Sequence, residues 1–240
     1  MNTDNMSILG LTLDYGPFGF LDHYDPGFIC NHTDQAGRYA FDQQPDVAAW
    51  NLTRLAQALT PLMSVADAKA ALETYPAIFA SAYIDLMSAK LGLPADKANI
   101  PLMMSLLDIL KQNRVDYTIF MRQLCDFDSA TDAANETLRD LFIDRTAFDK
   151  WADNYRIQLH ANLSHDSVRA SSMRRVNPKY ILRNYLAENA IVAARDHNDM
   201  SEIECLMQVL QHPYDEHPDM EAYAAAPPDW AQHISVSCSS

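Results

Sequence analysis

Glycine is scarce in this 240-residue chain, and its six glycines, at positions 10, 16, 19, 27, 37 and 92, form no G-x-G-x-x-G or Walker pattern ahead of a helix. A glycine-rich phosphate loop of either kind is thereby excluded from the chain. Positive charge is short too, with 18 Lys and Arg against 32 Asp and Glu and a net charge of −14. General nucleic-acid binding is excluded on that ground, because phosphate contacts need clustered cations. No run of about eighteen apolar residues appears, and no basic segment followed by an apolar one opens the chain. Neither a membrane span nor a secretory signal is expected, and the expected location is cytoplasmic. Cysteine is sparse and dispersed at Cys30, Cys125, Cys205 and Cys238 without a C-x-x-C pair, which excludes a zinc ribbon and a dense disulfide framework.

What the chain does have is apolar side chains: hydrophobic residues make up 48% and charged ones 21%, a composition suited to a helix-rich globular protein. Cys125 and Cys205 fall within apolar helical patterns and read as core fillers. Cys238 lies in the polar tail Ser235-Val236-Ser237-Cys238-Ser239-Ser240, where a thiol gains nothing from packing and is open to redox chemistry.

The first stretch carries the most chemistry. Asp4, Asn5 and Asp14 flank a short apolar run broken by Gly10. With Leu9-Gly10 at a turn, an antiparallel hairpin would set Ile8 opposite Leu11 and Asn5 opposite Asp14. Carboxylate and amide oxygens gathered in this way suit Mg2+, which also keeps waters and phosphate oxygens in its shell. Two readings stand at this point, a magnesium site or a solvated turn followed by a buried strand. Residues 22–34 read as a long loop pinned by aromatics. Its His23, Asp25, His32 and Asp34 have no recurring ligand spacing and read as surface turn residues.

Helical periodicity begins at Pro45, with Ala48, Leu52, Leu55, Leu59 and Leu62 forming one stripe. Ser64 with Asp67 resembles a capping box for the next helix, which runs to Gly92 and is kinked or split at Pro76. Further helices are expected over 101–113, 117–125, 135–142, 147–161, 165–175, 178–194 and 201–210. For the 178–194 helix, Asn177 supplies the cap and Pro178 the first turn, with Ile181, Tyr185 and Ile191 facing one way. Arg169, Arg174, Arg175, Lys179 and Arg183 form a basic run. It is either a docking surface for phosphate or an acidic partner, or pairs with the chain's own carboxylates, and pairing is the preferred reading. The proline-rich tail from His212 is expected to wrap over the surface without a long helix.

Asp14-Tyr15-Gly16 is one aromatic swap from the Asp-Phe-Gly of protein kinases, whose Asp holds magnesium on the nucleotide phosphates. Asp4 then falls where a kinase catalytic loop supplies its base. In kinases, however, several residues separate that Asp from the metal-binding Asn, whereas Asp4 and Asn5 are adjacent, so an ordinary kinase fits poorly. The combination resembles selenoprotein O, the SelO family of kinase-fold protein adenylyltransferases. The motifs that carry the resemblance are Asn2-Thr3-Asp4-Asn5-Met6-Ser7, Asp14-Tyr15-Gly16-Pro17-Phe18-Gly19-Phe20, Tyr24-Asp25-Pro26, the segment from Asn177 to Leu186, and Ser237-Cys238-Ser239-Ser240.

The resemblance implies a mainly α fold: a protein-kinase-like C-lobe with a small β-hairpin at the N-terminus and a helical C-terminal region. One domain is expected over 1–240, with 1–44 holding the catalytic and metal loop, the hairpin and an activation-loop-like segment, 45–211 helical, and 212–240 a tail. It implies transfer of AMP from ATP to Ser, Thr or Tyr hydroxyls of acceptor proteins, with ATP flipped relative to a kinase, Mg2+ or Mn2+ as cofactor, and neither nucleic acid nor membrane as partner. By position, Asp4 is the proton acceptor, Asn5 a metal ligand, and Asp14 a ligand that also approaches the nucleotide phosphates. Cys30 and Cys238 match the places of a regulatory disulfide in the family. Family members also carry a nucleotide-clamping N-lobe without counterpart here, so this chain is expected to be a truncated member with little or no activity alone. Two rival readings are a noncatalytic helical docking or regulatory lobe and a phosphotransferase using the same metal site.

Overall fold

The computed structural model describes residues 3, 6–9, 11, 19–31 and 33–235. Its described residues are mainly helical and contain ten α-helices and no strand, the one β-like pairing being an isolated antiparallel bridge between His23 and Asp116. Two compact units result: one holds the described residues before Gly19, Pro26–Tyr83 and Ser235, and the other holds Gly19–Asp25 and Ile84–Ile234.

In the first unit a loop leads through a 3-10 turn, Phe41–Gln43, into helix α1, Gln44–Ala58. The loop is tied by the Phe41 N–H to the Phe28 carbonyl and the Asp42 N–H to the Pro26 carbonyl, both at 2.9 Å. Pro45 sits in the first turn of α1, where its missing N–H costs nothing. The expected stripe is half-buried at Ala48, Leu52 and Leu55, but the helix ends before Leu59 and Leu62, and Leu62 is 84% exposed. Helix α2, Val65–Glu73, opens on the expected cap: Ser64 Oγ accepts the Asp67 N–H at 3.1 Å and donates to Asp67 Oδ2 at 2.6 Å. Pro76 then separates α2 from α3, Tyr75–Lys90, in keeping with the split expected there.

The second unit is built on α4, Ile100–Asn113, and α7, Arg145–Ala161, which pack against each other. Around them lie α5, Tyr117–Gln123, the single turn α6, Glu136–Arg139, and α8, Asp166–Arg174. Met103, Leu106, Leu110, Phe120, Leu124 and Leu159 are fully buried in this core. Its aromatics pack as edge-on and stacked pairs, Phe120 with Trp151 at 6.0 Å and Trp151 with Tyr155 at 5.0 Å between ring centres. Both polar tips are satisfied, Trp151 Nε1 donating to the Leu102 carbonyl at 3.2 Å and the Tyr155 hydroxyl to the Leu91 carbonyl at 2.6 Å. Gly92, at φ +62, ends the turn after α3; a side chain there would overlap Arg169 Cγ and Met173 Sδ. A smaller core of Tyr185, Leu186, Ala190 and Leu206 joins α9, Asn184–His197, to α10, Ser201–Gln211. Short 3-10 turns at Pro218–Ala224 and Asp229–His233 replace any long helix in the tail.

Two expectations are corrected. The N-terminal β-hairpin is not seen: of its residues that are described, Ile8 and Leu9 form a turn and stand 79% and 76% exposed. Ser7 Oγ takes the Leu9 N–H at 3.1 Å, a local bond that competes with a ladder. Helix α9 begins at Asn184 rather than Pro178. Residues 178–183 run without helix because they are held elsewhere: the Lys179 N–H bonds the Pro213 carbonyl at 2.7 Å, and Arg183 reaches two carboxylates. Ile191 accordingly lies 52% exposed, away from buried Ile181 and Tyr185. Helices α5 and α6 are also shorter than their expected spans, and among the described residues no helix is long and apolar enough to cross a membrane.

Candidate active site

Asp4, Asn5, Asp14 and Cys238 lie outside the described residues, as does His32, so the site is built here from what flanks them. On the upstream side, Thr3, Met6, Ser7 and Ile8 line a cavity of about 320 Å³ with Asn51, Leu52, Arg54, Leu55 and Ala58 of α1. Asn51 is buried, and its Nδ2 donates to the Val47 carbonyl at 3.1 Å. The neighbours of Asp4 and Asn5 in sequence thus rest against α1 within one unit. The cavity is at the small end of the range for ligand pockets.

Residues Gly19–Asp25 belong to the second unit and are fixed there. Arg183, whose side chain is 2% exposed, reaches Asp22 Oδ1 at 2.5 Å and Asp116 Oδ2 at 2.8 Å, with Nη2 to Asp116 Oδ1 at 3.2 Å. Burial pulls the Arg183 pKa down, but the hydrogen bonds and charges of Asp116 and Asp22 more than offset it, and the net direction is up. Asp116 also caps α5 by accepting the Ile119 N–H at 2.9 Å. Backbone bonds reinforce the junction: Tyr24 N–H to the Val115 carbonyl and Tyr117 N–H to the Asp22 carbonyl, both at 2.9 Å. Gly19 closes the arrangement, since a Cβ there would stand 2.9 Å from Asn184 Oδ1 at the start of α9. Residues 19–25 are therefore held by a three-residue charge cluster centred on the buried Arg183 guanidinium. The sequence marked Arg183 as a cation expected to pair with the chain's own carboxylates, but nothing in it named Asp22 and Asp116 as the partners.

The basic run resolves as internal pairing. Arg169 binds Asp166 at 2.6 Å and also the Phe127 carbonyl; Arg174 binds Asp126; Lys179 binds Glu216 and Glu221, each at 2.5 Å. Arg175 is exposed and its guanidinium reaches Ser172 Oγ at 3.3 Å. Arg122 extends the network, donating to the Arg174, Asn177 and Tyr214 carbonyls and to Glu216 at 2.6 Å.

Among the described residues no group of three or more His, Cys, Asp and Glu is placed to hold a metal. His23, Asp25 and Asp34 form no such group, and Asp34 instead accepts the backbone N–H groups of Arg38 and Tyr39 at 3.2 and 2.8 Å. Asp4, Asn5 and Asp14, whose carboxylate and amide oxygens are of the type a hard divalent cation takes, lie outside the described residues. Cys125 is buried, and burial pushes its thiol pKa up, as suits a core filler; Cys30 and Cys205 are half-buried.

A family model described as protein adenylyltransferase SelO matches residues 1–211, a span that includes Asp4, Asn5, Asp14 and Cys30 and stops short of Cys238. A relative from Thiobacillus denitrificans named protein nucleotidyltransferase YdiU is 63% identical over 240 residues, covering 100% of this chain and 49% of its own length. Relatives of the same name from Cupriavidus pinatubonensis and Myxococcus xanthus are each 52% identical, over 256 and 241 residues, again with 100% of this chain and 49% of their own length covered. The chain spans about half the length of the curated relatives it matches.

Proposed function

The chain belongs to the SelO family, and we propose that it supplies the base and metal-binding part of a protein adenylyltransferase with a kinase-like C-lobe. The reaction is transfer of AMP from ATP to a Ser, Thr or Tyr hydroxyl of an acceptor protein. The observation that carries this reading is the family match across the residues with the required chemistry. Asp4 accepts the hydroxyl proton as oxygen attacks the α-phosphorus, and pyrophosphate leaves. Asn5 and Asp14 hold Mg2+ or Mn2+, which when bound neutralises charge on the phosphate oxygens. The cluster of Arg183, Asp22 and Asp116 holds Asp22, eight residues downstream of Asp14, in place, and pre-positioning of this kind is what reactions of this class depend on.

No glycine-rich loop lies in this chain, so on this reading it transfers little or no AMP alone. The test mixes the chain with the half of the Thiobacillus denitrificans relative that it does not cover, together with ATP, magnesium and an acceptor protein. The acceptor is expected to gain the mass of AMP in the mixture, and Asp14→Ala should abolish the gain. A gain of phosphate instead, or transfer untouched by Asp14→Ala, would overturn the proposal.

A further inference from the structure

The first unit carries a cluster that the chemistry above leaves unused. The Arg38 guanidinium lies 4.6 Å from the centre of the Trp50 ring and that of Arg54 lies 5.3 Å from it. Both arginines are exposed, and Trp50 is 40% exposed. Trp50 and Arg54 stand one turn apart on α1, while Arg38 arrives from the preceding loop. The Asp34 carboxylate on that loop is taken up by backbone N–H groups, including that of Arg38 itself.

Among the described residues, neither Arg38 nor Arg54 has an ion-pair partner. Four of the five cations in the basic run are paired, in a chain with 32 acids and 18 bases. Two guanidiniums that have no carboxylate partner among the described residues, yet stack on an aromatic ring, present N–H edges suited to bidentate carboxylate contacts. Arg54 also lines the cavity shared by Thr3, Met6, Ser7, Ile8 and Asn51, in which Leu52, Leu55 and Ala58 offer an apolar wall for one side chain.

We propose that Arg38, Trp50 and Arg54 form a docking site for an acidic segment of the acceptor polypeptide. Two carboxylates of that segment engage the guanidiniums, and an intervening apolar or aromatic residue enters the cavity. The inference rests on the reading that the acceptor is a protein, and it adds the class of sequence recognised.

The test titrates the 240-residue chain at low ionic strength with a synthetic Glu-Glu-Tyr-Glu-Glu peptide and with its Gln-for-Glu counterpart, reading tryptophan fluorescence and heat. Neither ATP nor metal is present, so the outcome is independent of group transfer. The acidic peptide is expected to bind, to weaken with added salt, and to outcompete the glutamine peptide. The pair R38Q/R54Q should weaken binding about tenfold or more, while K111Q/K150Q, which alters two exposed lysines elsewhere, leaves it unchanged. Equal binding of the two peptides, or equal loss in both variants, would overturn the proposal, and the peptide comparison needs no variant to fold. AMP transfer lost in Asp14→Ala with peptide binding intact would separate the catalytic reading from this one.

Discussion

Arg183 brings together residues that the sequence keeps far apart. Its guanidinium is almost fully buried between Asp22 and Asp116, and its removal would leave two carboxylates facing each other with their cation gone. Breaking such a buried pair costs about 3–5 kcal/mol. Asp22 is one-third exposed and recovers part of its hydration, so the lower end applies: Arg183→Ala should destabilise the chain by about 3 kcal/mol in urea unfolding. Arg183→Lys should restore only a part, because an ammonium cannot make the forked contacts to both acids. Hydrogen exchange should rise first at the Tyr24 and Tyr117 amides, whose bonds lock the same junction. A variant with unchanged stability and protection would mean that the cluster does not hold residues 19–25 in place.

The tail is held at the element scale by a smaller network that responds to pH. Hydrogen bonds from Lys179 and then Arg122 hold the Glu216 carboxyl below its ordinary 4.5. A carboxyl depressed in the folded state contributes stability that is present above the unfolded value and is lost as pH falls through the lower folded one. Glu216 is 57% exposed, so the loss is confined to the tail rather than global. As pH drops below about 4.5, the contact of residues 213–216 with Lys179 and Tyr180 should open, read as faster exchange at the Lys179 amide. Glu216→Gln should remove that pH dependence; an unaltered acid response in the variant would place the titrating group elsewhere. These elements also show how far the sequence was legible. Ser64 with Asp67, Pro76 and Gly92 act through local chemistry, and each marks the boundary it was expected to mark. Asn177-Pro178 carries the same local signal for a helix start, yet the helix begins at Asn184, because Asn177 is fully buried with its side chain on the Lys90 carbonyl and Arg183 is committed to distant acids. Partners such as Asp22 and Asp116, or Arg38 and Trp50, meet only after folding, and no spacing announces them. Asp4, Asn5 and Asp14 rest on donor chemistry and family motif alone, since they lie outside the described residues and the fold adds nothing to their case.

At the scale of the whole molecule, the charge of −14 sets a condition on the proposed reaction. ATP is a polyanion, and on the proposed reading Asp4 and Asp14 add two more carboxylates where its phosphates would come. On that reading, repulsion among these groups would make a divalent cation a requirement for nucleotide binding itself, before any chemistry. In the mixture with the uncovered half of the relative, removing magnesium with a chelator should therefore weaken ATP binding about tenfold or more, a difference of about 1.4 kcal/mol or greater. Monovalent salt separates this account from a purely structural role for the metal. Screening should improve the weak metal-free binding, because like charges dominate it, and should not improve binding of the magnesium complex. Asp14→Ala should narrow the gap between the two conditions by removing both a ligand and a repelling charge. Equilibrium dialysis with labelled ATP reads all three, and binding as tight in chelator as in magnesium would show that Asp4, Asn5 and Asp14 do not act together as a metal site.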